Sequence, residues 1–176
     1  IFMSISVPIG GADGPTSIFL AGKLDMGWLN VFGLVMVILM LIPNIIYAVK
    51  FRGEENRCKN QVMNIIEQTG RYASMFLMIF NIGIGSLGFA SIRGFLIYQV
   101  GNSILMLAYW ITWLLFFIKR SYGKTMALAI IPTAIFLLSG ILLRYIPLSI
   151  AAVILGIGHI YVTNKNAKSL KQHINT

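Results

Sequence analysis

Apolar residues along this chain come in long runs separated by short polar stretches, and run length rather than any alternation decides the fold. Five runs approach the roughly 20 residues a helix needs to cross a bilayer. The first is Trp28 to Val49, with Trp28 and Tyr47 near its two edges, where amphipathic aromatics are favoured. Pro43 is expected to kink its last turns, because proline removes a helix hydrogen bond. The second covers Tyr72 to Ile92 and carries Asn81, Gly83, Gly85, Ser86 and Gly88, small residues that let helices approach closely. Arg93-Gly94 reads as a tight turn before the third run, Phe95 to Ile118. The fourth, Thr125 to Leu143, is interrupted by Pro132, and the fifth, Leu148 to Val162, is short but sufficient if its flanks adjust.

The polar stretches carry their own pattern. Between Lys50 and Arg71, Cys58, Val62, Ile65, Ile66 and Thr69 recur at helical spacing, while Lys59, Asn60, Asn64, Glu67 and Gln68 take the other face. This predicts an amphipathic helix on the membrane surface, or a cytoplasmic extension of the next span. The chain therefore divides into 1–26, a Gly/Pro-containing motif with a short helix or re-entrant segment; 27–163, a five-helix transmembrane bundle with the amphipathic connection 50–71; and 164–176, a basic tail. The fold class is all-α, a polytopic integral membrane protein.

Charge sets the orientation. The 50–71 connection, the 119–124 loop and the tail hold five, three and three Lys or Arg residues, against Lys23, Arg93 and Arg144 on the other side. Eleven against three puts the N-terminus outside and the C-terminus in the cytoplasm, which an odd number of spans satisfies. The same placement at the ends of apolar runs explains the net charge of +9 without nucleic acid as a partner. With 57% hydrophobic and 11% charged residues, the chain has no room for a soluble domain besides the spans. Met3 is a candidate initiator, and the first residues lack the basic start and apolar core of a cleavable signal. Cys58 is the single cysteine, so the chain has no internal disulfide and no thiolate metal site.

Candidate chemistry begins at Gly10-Gly11-Ala12-Asp13-Gly14-Pro15-Thr16-Ser17, a carboxylate set between glycines and a proline. The apolar run that follows to Leu24 is too short to span a bilayer. Two readings of Asp13 stand side by side. As an N-cap it accepts from the first N–H groups of a short helix starting at Gly14-Pro15, with Lys23 near that helix's other end. As an ion ligand it supplies the charge beside carbonyls freed by a broken helix. The segment from about Ile9 to Leu24 resembles the Gly-Gly-Ala-Asp-Gly-Pro ion-coupling motif in the β subunits of sodium ion-translocating decarboxylases, the oxaloacetate and glutaconyl-CoA decarboxylase group. That resemblance implies sodium or proton exchange at Asp13, with Gly10, Gly11, Gly14 and Pro15 shaping the break. The remainder resembles a type of small membrane protein from anaerobic Gram-positive bacteria, which implies a bacterial plasma membrane.

Polar residues inside the spans complete the list. Asn81 and Asn102 are ion-site candidates or interhelical hydrogen-bonding groups, the latter worth about 0.6–2 kcal/mol for each pair. His159, after Gly156 and Gly158, is placed to relay protons, to bind a metal, or to pack with one hydrogen bond, and as a lone histidine with no partner at ligand spacing it favours packing over a metal. Gly83-Ile84-Gly85-Ser86-Leu87-Gly88 imitates a dinucleotide fingerprint but follows no strand, so it reads as helix packing. The nine methionines read as core or lipid-facing residues, and Arg93 and Arg144 as snorkelling helix ends. No cofactor is implied except sodium. Three functions remain: cation-linked transport through Asp13; a non-catalytic membrane subunit or scaffold whose N-terminal segment docks a partner; and, last because acid–base pairs are missing, a membrane enzyme. A bundle this small implies a homo-oligomer or a partner membrane subunit.

Overall fold

The computed structural model describes the backbone of residues 6–11, 14–19, 25–26, 28–52, 56, 58–82, 88–89 and 91–174, and side chains from 28 to 168 within those ranges. Five helices carry the fold: α1 (Val31–Lys50), α2 (Gln61–Ile79), α3 (Ile92–Ile118), α4 (Tyr122–Leu142) and α5 (Ile146–Ile174). The first four start on a side-chain cap. Asn30, Asn60, Ser91 and Ser121 each accept from the backbone N–H three residues on, which satisfies a donor the helix leaves orphaned.

Four helices are long and apolar enough to cross a membrane: α1, α3, α4 and Ile146–Lys168 of α5. Their apolar residues face outward as well as inward. Val35, Ile38, Ile45 and Ile46 of α1, and Ile104, Leu107, Ile111 and Leu114 of α3, are exposed. A soluble bundle would bury one stripe only; lipid accepts the rest.

The second expected span, Tyr72 to Ile92, is not a continuous helix. α2 begins within the expected amphipathic connection and stops at Ile79, with Phe80 extended. Phe80 instead pairs as an isolated bridge with Leu29, Trp28 stacks on its ring, and the Asn81 N–H donates to Trp28 O at 2.8 Å. The glycine-rich sequence after Asn81 offers little helix propensity to oppose these contacts. α2 is long enough to span at 19 residues, but it is too polar to join the other four. Three smaller differences follow from capping and proline tolerance. Arg93-Gly94 lies inside α3, behind the Ser91 cap, rather than in a turn. α4 runs through Pro132 without interruption, and α1 is likewise continuous past Pro43, as a kinked helix also is. The basic tail continues α5 as helix as far as Ile174.

Packing follows a closed ring, α1 to α2 to α5 to α4 to α3 and back to α1, with α2 and α4 also in contact. Met36, Val37, Met40, Met78, Tyr98, Met106, Tyr109, Ile135, Leu148 and Leu155 fill its interior. α1 and α3 end together: Phe51 stacks on Phe117, and the Arg120 guanidinium lies 4.0 Å from the Phe51 ring centroid. Lys50, Arg52, Lys59, Lys119, Arg120, Lys124, Lys165 and Lys168 gather toward this end, and Arg93 and Arg144 mark the other. Arg71, counted above with the connection, lies inside α2.

The N-terminal residues differ most in kind. Where Pro15 suggests the first turn of a short helix, the described backbone is extended. β1 (Ser6–Gly11) pairs antiparallel with β2 (Gly14–Phe19), in register from Ser6 with Phe19 to Gly11 with Gly14. β3 (Asp25–Met26) and β4 (Leu29–Asn30) form a second short pair leading into α1. β-branched Val7, Ile9, Thr16 and Ile18 favour strands over helix, and a two-stranded sheet has only edges, where Pro8 and Pro15 are tolerated.

Candidate functional site

The site grows from the contact between α2 and α5, the most extensive in the bundle. The two helices run antiparallel, so that Glu67 meets Gly158 and Gly70 meets Leu155. A Cβ on Gly158 would lie 2.5 Å from Glu67 N, and one on Gly70 would lie 2.5 Å from Leu155 N. Both positions require glycine, because backbone touches backbone there.

This contact fixes which stripe of α2 is buried. Val62, Ile65, Tyr72 and Phe76 are exposed, whereas Glu67, Gly70, Ser74 and Met78 are buried. Of the residues expected on the polar face, Glu67 is buried against α5 while Lys59, Asn60 and Gln68 stay exposed; of the apolar face, Val62 and Ile65 point outward and Cys58 is buried. Glu67 therefore becomes a buried carboxylate, its side chain 9% exposed.

Its partners come from one turn along α2 and from α5. Glu67 Oε1 accepts from Arg71 Nη2 and lies 2.8 Å from His159 Nδ1. Arg71 Nη2 is 3.4 Å from the same ring nitrogen. Arginine offers only donors, so the nitrogen that faces the carboxylate at 2.8 Å is assigned the histidine's own proton, and the longer Arg71 approach is not a hydrogen bond. Arg71 is half exposed. Tyr109 is buried and accepts at its hydroxyl from Asn44 Nδ2 at 2.7 Å, while the same amide group donates to Met40 O at 2.8 Å. Pro43 lies beside this pair, where α1 has lost one backbone donor. Two polar contacts thus cross between helices, Asn44–Tyr109 between α1 and α3 and Glu67–His159, with Arg71 beside it, between α2 and α5.

Asn102 is fully buried and bonded across to α4: its Nδ2 donates to Ser139 Oγ at 3.1 Å, and Ser139 Oγ donates to Asn102 Oδ1 at 3.4 Å. Asn81 sits just after α2, fixed through its backbone to Trp28. Gly10, Gly11 and Gly14 lie at the closed end of the β1–β2 pair, and Asp13 lies outside the described residues. His159 is the sequence candidate that the structure joins to other charged groups. Glu67 and Arg71 were not among those candidates; their only signal was an acid and a base four apart, which also describes an ordinary surface helix.

Among the described residues, no group of three or more His, Cys, Asp or Glu side chains is placed to hold a metal ion. Cys58 is buried, with its N–H donating to Asn56 Oδ1. An apolar groove of about 510 Å³ opens between α2 and the start of α5, with Thr69, Ala73, Pro147, Ile150 and Ile154 in its walls, and holds none of the polar cluster. Compared with known proteins, the chain matches no family model, no curated protein and no solved structure.

Proposed function

We propose that the chain is a multi-pass protein of a bacterial plasma membrane, N-terminus outside and C-terminus in the cytoplasm, that works in sodium- or proton-linked transport. It does so as a homo-oligomer or beside a partner membrane subunit. The observation that carries this reading is the buried Glu67 carboxylate held by Arg71 and His159 between helices whose outer faces are apolar. An ionisable side chain within a membrane helix costs about 2.5–3.5 kcal/mol on insertion scales, and such groups mark ion and proton paths.

The topology supports the placement. α1 and α3 share the basic end, so they run the same way and the chain must return between them. Among the described residues α2 is the helix between them, and a return through it supports a reading of five crossings with the termini on opposite sides. The basic end faces the cytoplasm by the positive-inside rule. The resemblance of residues 9–24 to the decarboxylase motif points the same way, to sodium or proton exchange at Asp13.

Reconstituted protein in liposomes tests the reading. An imposed sodium or pH gradient is expected to drive cation flux that Glu67→Gln or Asp13→Asn lowers. Flux absent from the parent, or unchanged in both variants, overturns it.

A further inference from the structure

We infer that the apolar groove between α2 and the start of α5 seats one acyl chain of an anionic phospholipid, whose phosphate is held by Arg144. The inference goes beyond the transport reading and holds whether or not an ion crosses the membrane.

The walls and the length of the groove suit an acyl chain. Its volume of about 510 Å³ falls within the roughly 300–1,000 Å³ of small-ligand sites. Thr69 and Ala73 of α2 form one wall, and Ile146, Pro147, Ile150 and Ile154 of α5 form the other, so its surface is almost wholly hydrocarbon. From Ile146 to Ile154 the axis of α5 advances about 12 Å, at about 1.5 Å for each residue. Half of a hydrocarbon core of about 30 Å is close to that depth. One end of the groove lies at the start of α5, beside the α4–α5 turn. The other lies at Gly70, where a Cβ would sit 2.5 Å from Leu155 N and the two backbones touch. A groove that starts at a helix end and runs for the depth of one leaflet fits a lipid tail. A helix from a second copy would need a groove along the full height of the span.

Charge selects the headgroup. Arg144 is exposed and precedes Ile146 by two residues, so its Cα lies within about 7 Å of the first wall residue. The turn that carries it is anchored, because Tyr145 is buried and its hydroxyl accepts from Ile82 N–H at 3.0 Å. The arginine stem reaches the headgroup level, and the guanidinium offers paired N–H donors that match phosphate oxygens. Arg144 holds φ 55, a conformation that favours glycine, so backbone geometry does not account for a long cation at this position. A net negative headgroup is favoured over a zwitterionic one, whose own ammonium group is repelled by a nearby guanidinium.

The test uses the full chain in phosphatidylcholine vesicles that contain a minor fraction of phosphatidylglycerol with a photoreactive diazirine in its acyl chain. After irradiation, mass spectrometry of the digested protein is expected to place adducts on residues 69–73 and 146–154. Unlabelled phosphatidylglycerol should compete them away, and added phosphatidylcholine should not. Arg144→Gln should lower the preference for the anionic lipid about fivefold, the contribution of one cation at a charged membrane surface. Arg93→Gln removes the other exposed cation of the same end and should leave the preference unchanged. Ala73→Phe, which fills the groove, should remove the adducts; if that variant fails to fold, the competition and Arg144→Gln carry the test. Equal labelling by photoreactive phosphatidylcholine, adducts spread over the exposed faces of α1 and α3, an unchanged preference in Arg144→Gln, or an equal loss in Arg93→Gln overturns the inference. So does a crosslink from the groove to a second copy of the chain in place of lipid. If no cation crosses the membrane but the adducts behave as stated, the transport reading falls and the lipid site stands.

Discussion

Gly158→Ala is the sharpest test of the α2–α5 geometry. The added methyl carbon would lie 2.5 Å from Glu67 N and 2.7 Å from Glu67 Cα, both backbone atoms that no rotamer change can move. Carbon contacts settle at about 3.5–4.0 Å, so α2 must retreat by roughly 1 Å at this point. Gly70 sits one turn away with the same 2.5 Å allowance against Leu155 N, so the retreat cannot be absorbed by tilting toward it. Overpacking of this kind costs about 1–3 kcal/mol, and since alanine's better helix propensity of up to about 1 kcal/mol is gained at an open glycine too, Gly158→Ala should fall about 1–3 kcal/mol below such a control. A shift of that size also stretches the 2.8 Å contact between Glu67 and His159 beyond hydrogen-bond range. Denaturant or thermal unfolding in micelles reads the stability. The control is Gly123→Ala, an exposed glycine with open space around its missing Cβ, which should be neutral or slightly stabilising. A Gly158→Ala protein as stable as the Gly123→Ala control refutes the close approach.

Other expectations are simpler. Arg144 holds φ 55 at the α4–α5 turn, where Tyr145 N–H donates to Gly140 O, so Arg144→Gly should raise stability by about 1 kcal/mol by removing a left-handed side chain, measured by the same unfolding assay. Ser139→Ala strands the buried Asn102 amide and should cost about 0.6–2 kcal/mol, most of which Asn102→Leu in the same chain should restore. A double-mutant cycle of Glu67→Gln and His159→Asn should give a coupling of about 0.5–3 kcal/mol; simple additivity would mean that the 2.8 Å contact carries no energy.

Run length and the punctuation between runs made most of the helical framework legible. α1, α3, α4 and α5 fall where apolar residues continue for a bilayer's thickness, because no local feature competes with a hydrophobic run that long. The helix starts were misread by three residues each: α1 begins at Val31 rather than Trp28, α3 at Ile92 rather than Phe95 and α4 at Tyr122 rather than Thr125, because the caps Asn30, Ser91 and Ser121 and not the apolar run set them. The strand pairing of Ser6–Gly11 with Gly14–Phe19 was hidden by a proline that suits both a helix start and a strand edge. His159 was visible as a polar residue among glycines, but its partners were not, since 92 positions separate it from Glu67.

α2 was misread for a deeper reason. An amphipathic pattern states which two faces differ; it does not state which one meets the solvent. In water, Val62, Ile65 and Phe76 belong inside and Glu67 outside. In the bundle Val62, Ile65 and Phe76 are exposed and Glu67 is buried, an arrangement that suits an apolar surrounding. It leaves a sequence trace after all. Glu67, Gly70, Ser74 and Met78 make a stripe at helical spacing in which two members are small, and small residues on the polar side of an amphipathic helix have no purpose at a water surface. Opposite them stand Leu155, Gly158 and His159, again with a small residue beside a polar one. A stripe of small and polar residues facing its like is how two helices in lipid hold a charge between them, because only close backbones exclude lipid from the pair. The same logic gives a discriminating prediction. Val62→Ser with Ile65→Ser should be harmless or stabilising if this face meets water, and should weaken membrane insertion of α2 in a translocation assay if it meets lipid. Unchanged insertion would remove α2 from the membrane, and the fifth crossing with it.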